Sequence, residues 1–195
     1  MTATSMHSPL RIALIIASRR KPRMADPLAA WLGAELAGLD WMQLDVIDLA
    51  RVELPGADLG HAGSTVSPIA ARLELADGFL VLTPEYNHSF PASLKDAIDW
   101  HLREWAYKPV GFVAYGAGSG GARAVEHLRV VFPELRAMTT REAVLLTAPW
   151  DHLDATGRYT PDEGVRAALA GTLDELRWWA GVLRMGRAGD RVGAA

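Results

Sequence analysis

The chain has 195 residues, 50% of them hydrophobic and 22% charged, with a formal net charge of −3. That length suits one domain with a substantial core, and the small negative charge gives no electrostatic reason to expect a nucleic acid or a membrane surface as partner. The lack of cysteine excludes disulfides, thiolate catalysis and Cys-ligated metals.

Residues 1–9 show neither the basic nor the apolar region of a signal peptide, and no apolar stretch approaches the roughly 18 residues of a membrane span. A cytoplasmic location is therefore expected. Residues 10–17 are a short apolar run that predicts a buried strand. Between residues 26 and 39, Leu28, Ala29, Trp31, Leu32 and Leu36 recur at helical spacing. Residues 44–49 alternate around Asp45 and Asp48, as a second strand would. Residues 51–67 hold three Gly and one Pro and read as a long surface loop able to cover a site.

Residues 68–76 predict a short helix opened by Pro68, and 78–82 a third strand. A helix follows over 93–105 with Ser93 as its N-cap, then a strand over 110–115. Residues 119–132 predict a helix stopped by Pro133, 141–147 a fifth strand, and 161–185 a long final helix. Strands alternating with helices argue for a parallel sheet covered on both faces. The pattern fits a flavodoxin-like three-layer α/β/α sandwich, its five-stranded parallel sheet ordered 2-1-3-4-5. Residues 1–195 form one such domain, with short flexible ends at about 1–9 and 187–195.

Ligands of open parallel sheets bind beyond the carboxyl ends of the strands, and three loops there carry candidate chemistry. After strand one, Ser18, Arg19, Arg20, Lys21, Pro22 and Arg23 place four cations and a hydroxyl ahead of a helix N-terminus, which suits a phosphomonoester. Neither a Walker A spacing nor a dinucleotide fingerprint is present, and a solvated basic turn is the plainer alternative. After strand three, Pro84, Glu85, Tyr86 and Asn87 could flank a flat ring and bond its polar edge, or could form a simple turn. After strand four, Tyr115, Gly116, Ala117, Gly118, Ser119, Gly120 and Gly121 hold four glycines within six residues. Such a backbone can approach a ligand closely with its N–H groups inward.

A rival reading is a serine hydrolase. Residues 117–121 approximate the G-x-S-x-G elbow with Ser119 as nucleophile, and Asp151, His152 and Asp154 lie downstream. Against it, Ala117 replaces the first glycine. The six histidines show no metal-binding spacing. His88 and His101 could approach a ligand pocket, although the surface is the commoner place for histidine.

Taken together, the three loops resemble the NADPH-dependent FMN reductase family, flavodoxin-like proteins that include azo-, quinone- and chromate-reducing members. The resemblance runs from about Arg11 to about Leu183. It is carried by Ala17–Arg23 against the family's G-S-x-R-x-G-R, by the complete P-E-Y-N at Pro84–Asn87, by residues 94–100 (LKDAIDW), and by Gly120-Gly121-Ala122-Arg123. It implies FMN as cofactor, with NADPH or NADH as electron donor and ping-pong transfer to a small-molecule acceptor. Ser18, Arg20 and Arg23 would hold the phosphate. Pro84, Glu85, Tyr86 and Asn87 would line the isoalloxazine ring, and Tyr115, Gly116, Ala117, Gly118, Ser119 and Gly120 would contact its other edge. The resemblance also implies a homodimer or homotetramer, with Trp100 and Trp105 in the interface. Ala17 and Pro22 depart from the family's two glycines, and Pro22 removes an N–H from the phosphate loop. A flavin-binding electron-transfer module without turnover, and a family member that binds another ligand, share these motifs.

Overall fold

The computed structural model describes residues 8–54 and 67–189. Strands β1 (Leu10–Ile16), β2 (Met42–Asp48), β3 (Gly78–Pro84), β4 (Pro109–Gly116) and β5 (Met138–Thr147) form one parallel sheet ordered 2-1-3-4-5. Among the described residues five α-helices accompany them: α1 (Ala25–Leu36), α2 (Ala70–Leu75), α3 (Ala92–Asp99), α4 (Ala122–Glu134) and α5 (Glu163–Gly189). This is the expected flavodoxin-like α/β/α sandwich. Arg187 lies within α5, so the helix runs into the stretch expected to be flexible from 187 onward. Most of the 51–67 loop lies outside the described residues.

The strand period of two divides the core. Ile12, Leu14 and Ile16 of β1 face a cluster built with Leu28 and Leu32 of α1 and Leu173 and Leu176 of α5. Ala13 and Ile15 face the opposite cluster, with Leu73 of α2, Leu94 of α3 and Leu128 and Phe132 of α4. The central strands β3 and β4 are buried along their whole length, which their unbroken apolar runs require.

Several expectations change. Trp105 is fully buried, its ring centroid 4.7 Å from Phe79 and 5.5 Å from Phe132, and Trp100 is buried as well. Helix α3 ends at Asp99, and the chain turns back so that Trp105 Nε1 donates to the Ile98 carbonyl at 3.3 Å. Those tryptophans are core, not interface. His101 is also fully buried, its ring nitrogens 2.7 Å from the Ala97 carbonyl and 2.7 Å from Ser67 Oγ. At the other boundary, α4 starts at Ala122 because Gly120 and Gly121 are left-handed, and Pro133 sits inside its last turn.

Both sheet edges are engaged by side chains. On β2, Arg72 binds the Asp45 carboxylate and donates to the Val46 carbonyl at 2.7 Å. In β5, the register shifts after Val110, leaving an irregularity around residues 140–142. There Glu175 of α5 accepts the Arg141 and Glu142 N–H groups at 2.9 and 3.0 Å, while Arg129 of α4 donates to the Thr140 and Arg141 carbonyls.

At the amino ends of the strands, Lys108 is 4% exposed and donates to the Leu73 and Glu74 carbonyls, both at 2.8 Å. It thereby satisfies carbonyls at the end of α2. Burial pushes its pKa down to about 8. The unfolded chain keeps this proton to about pH 10.4, so unfolding takes up a proton between about 8 and 10.4. Lys108 therefore makes the fold grow more stable as pH rises through that window. Urea titrations at pH 7.5 and 10 should show that rise, and Lys108→Met should flatten it whatever its effect on absolute stability.

Candidate active site

The loop after β1 is shaped by side chains. Ser93 of α3 is not the expected N-cap, since the cap position is Pro91; its hydroxyl instead donates to the Ala17 carbonyl at 2.6 Å. Arg23 donates through Nη1 and Nη2 to the two Asp48 oxygens at 2.7 and 2.5 Å, and through Nε to Asp26 at 2.8 Å. Nη1 also reaches the Ser18 carbonyl at 2.9 Å. The paired guanidinium holds the Asp48 carboxyl below the usual carboxylate range. Arg23 thus ties its own loop to the end of β2. A cavity of about 510 Å³ beside it is lined by Arg23, Arg51 and Arg72, and all three are paired with aspartates.

Arg19, Arg20 and Lys21 are exposed, and none forms an ion pair among the described residues. The guanidinium carbon of Arg20 stands 4.4 Å from the Tyr86 ring centroid, a cation–π distance. Ser18 is buried, with Oγ 3.1 Å from the Tyr86 hydroxyl. The first and second loops therefore meet at Tyr86.

The second loop is a tight hairpin. Tyr86 and Ser89 exchange backbone hydrogen bonds at 2.8 and 3.0 Å, and Asn87 and His88 between them have φ of 50° and 66°. Two consecutive left-handed residues define a type I′ turn, in which Asn is favoured. His127 of α4 braces it, Nδ1 lying 3.0 Å from Ser89 Oγ.

Glu85 joins the second loop to the third. Its N–H donates to the Tyr115 carbonyl at 2.8 Å. Its carboxylate accepts Ser119 Oγ at 2.5 Å, the Arg123 N–H at 3.1 Å and Arg123 Nη1 at 2.9 Å. Partial burial works against ionisation of this carboxyl, but the bonds from Ser119 and Arg123 prevail and lower its pKa. Tyr115 is buried beneath the loop, and that burial raises its phenol pKa above the ordinary value.

The glycine loop is close-packed where it leaves the sheet and open at its tip. At Gly121, φ +94°, a Cβ would fall 2.6 Å from Ala114 Cβ and 2.7 Å from the Tyr115 nitrogen. Gly118 has nothing within 4 Å of that position, and the N–H groups of Ala117 and Gly118 bond no other described residue. These free donors, beside a hydroxyl and an unpaired guanidinium on the same strand-end face, suit a flat heterocycle carrying a phosphate. Among the described residues, no group of three or more His, Asp and Glu could hold a metal.

Asp48 and Ser93, read from the sequence only as a strand position and a helix cap, shape the site. Trp150 follows β5 in a 3-10 turn, Pro149–His152, and is 46% exposed. The Ala148 N–H donates to the Gly116 carbonyl at 2.9 Å, which sets that turn beside the glycine loop.

Over residues 10–151 the sequence matches the family described as NADPH-dependent FMN reductase. The chain belongs to that family. It is an oxidoreductase that uses FMN and a nicotinamide donor. It is 32% identical over 188 residues to an NADPH:quinone oxidoreductase of Arabidopsis thaliana, covering 91% of this chain and 95% of the relative. A 2-hydroxy-1,4-benzoquinone reductase of a Burkholderia species is 30% identical over 178 residues, 87% of this chain and 96% of the relative. Among solved structures, the flavoenzyme NAD(P)H:(acceptor) oxidoreductase FerB from Paracoccus denitrificans superposes with a TM-score of 0.68 at 25% identity, covering 88% of this chain and 97% of FerB.

The hydrolase reading loses its geometry. Ser119 is bonded to Glu85, while His127 bonds Ser89 and His152 packs 6.4 Å from the Tyr159 ring. A serine nucleophile needs a histidine or equivalent base. A fluorophosphonate probe should leave Ser119 unlabelled by mass spectrometry; stoichiometric labelling would restore the nucleophile. Gly121→Ala should destabilise the protein by a few kcal/mol through a left-handed residue and a backbone collision, read as a lower urea midpoint.

Proposed function

We propose that the three strand-end loops of this FMN reductase hold the cofactor and expose it to a nicotinamide and a small acceptor in turn, in ping-pong order. The observation that carries this reading is the joining of the P-E-Y-N and glycine loops by Glu85, beside a basic loop whose Ser18 and Arg20 both contact Tyr86. Ser18 and Arg20 would bind the phosphate, with Arg19 and Lys21 adding charge. Arg23, already committed to Asp48, would keep the loop in shape. Pro84, Tyr86 and Asn87 would border the ring on one side. Tyr115, Gly116, Ala117, Gly118, Ser119 and Gly120 would form the other, where the N–H groups of Ala117 and Gly118 would be available to the cofactor.

When bound, FMN supplies two-electron transfer from NAD(P)H to the acceptor. The protein supplies binding, orientation and a fixed electrostatic surround. Relatives named as quinone reductases favour a quinone as acceptor. The proposal includes a cytoplasmic homodimer or homotetramer with no nucleic-acid or membrane partner. No helix among the described residues is long and apolar enough to cross a membrane. The buried Trp100 and Trp105 are not part of that assembly's surface.

The purified protein should show a flavin absorption band that bleaches on anaerobic addition of NADPH and returns with a quinone. A flavin band that NADPH leaves unchanged would favour an electron-transfer module instead. Arg20→Ala should weaken FMN binding by about tenfold or more, one hydrogen-bonded charge contact, without moving the apoprotein Tm. Arg23→Ala should lower Tm by several degrees, because it strands the Asp48 carboxylate. Equal FMN affinity in wild type and Arg20→Ala would refute the phosphate assignment.

A further inference from the structure

Helix α4 opens without a cap of its own. Its N-cap position is Gly121, which has no side chain to accept the helix's first N–H groups. An uncapped N-terminus beside a ligand loop is ordinarily a place for a ligand anion. Here it is filled from within, because the Glu85 carboxylate accepts the Arg123 N–H at 3.1 Å. The same carboxylate takes the Ser119 hydroxyl at 2.5 Å, and Ser119 Oγ in turn accepts the Gly121 N–H at 3.4 Å. Arg123 Nη1 closes the set at 2.9 Å. The Glu85 side chain is only 9% exposed, and its Cβ lies 3.3 Å from where a Cβ on Gly116 would stand.

We propose that Glu85 is a positioning residue that caps α4 from the neighbouring loop and fixes the glycine loop in the shape that receives FMN, rather than touching the ring itself. This rests on the FMN-binding reading above. Three donors converge on one carboxylate from a loop hydroxyl, a helix N–H and a helix side chain. The tip at Ala117 and Gly118 carries no bonds to other described residues, so its placement depends on Gly116, held by the Ala148 N–H, and on the residues that follow it. Ser119, Gly121 and Arg123 are all bonded, directly or through one hydroxyl, to Glu85. The helix dipole favours the carboxylate at this end, and the N–H groups left for the cofactor are those of the tip, one turn earlier in the chain.

The test compares apoprotein of wild type, Glu85→Ala, Glu85→Gln and Ser119→Ala by FMN titration, thermal melting and residue-resolved amide exchange. Glu85→Ala should weaken FMN binding about tenfold or more, the loss of at least one charge-assisted hydrogen bond. The Arg123 and Gly121 amides should exchange faster by a similar factor or more, ahead of the rest of the fold, with Tm lowered by several degrees. Glu85→Gln keeps an acceptor for the Arg123 N–H and should recover affinity to within about threefold of wild type. Ser119→Ala should speed exchange at Gly121 and leave Arg123 protected, which tests the relay even if Glu85→Ala fails to fold. Unchanged affinity in Glu85→Ala, unchanged exchange at Arg123, or a uniform loss of protection with a collapsing Tm would each overturn the proposal. Should wild-type apoprotein take up no FMN, the cofactor reading falls, and amide exchange alone decides the clamp: faster at Arg123 and Gly121 in Glu85→Ala upholds it, unchanged sinks it.

Discussion

Loops beyond the ends of a parallel sheet keep only a few backbone hydrogen bonds, so much of their form has to come from side chains. That constraint governs this site. The loop after β1 is held by the Arg23–Asp48 fork and by Ser93 on the Ala17 carbonyl. The loop after β3 is a hairpin whose tip is braced by His127. The glycine loop hangs from Glu85. Charge-assisted hydrogen bonds are each worth about 1.5–3 kcal/mol, so a few of them can oppose the conformational freedom that glycines would otherwise keep. Acids and arginines turned toward one another, with Ser93 and His127, shape the loops, and the cations without an ion pair among the described residues are Arg19, Arg20 and Lys21.

Arg23 and Glu85 show how one charged residue can be read in two ways from sequence. Each belongs to a motif associated with a cofactor, and each spends its polar atoms on the protein. The division of labour is therefore between neighbours: Arg20 is unpaired where Arg23 is locked, and the tip of the glycine loop is open where Gly121 is close-packed. The proposed site lies on the strand-end face. The internal bonding says which groups on that face remain available for it.

The strand order and the three loops were legible because buried strands leave unbroken apolar runs and the loop motifs are local. What sequence did not reveal depends on contacts far apart in the chain. Trp105 looks like one more helical aromatic until α3 ends at Asp99 and the ring is placed between Phe79 and Phe132. Ser93 has the residue type of a cap, yet its partner is 76 residues away. Asp48 was visible only as a polar position in an alternating strand. The Thr140–Glu142 irregularity has no local marker, since it is stabilised by Glu175 from α5 and Arg129 from α4. The histidines had no spacing signal at all, and burial of His101 follows from the turn that buries Trp105.

The treatment of the two sheet edges bears on how molecules of this protein can meet. An open edge strand is a template on which another chain can lay a sixth strand and begin a fibril. Arg72 places a charge over the Val46 carbonyl on one side, and on the other Glu175 and Arg129 occupy the N–H and carbonyl groups where the strand bulges. Sheet-to-sheet addition is thereby discouraged at both ends, so self-association, where it occurs, falls to helix and loop surfaces. Replacing Arg72, Glu175 or Arg129 would uncover those backbone groups.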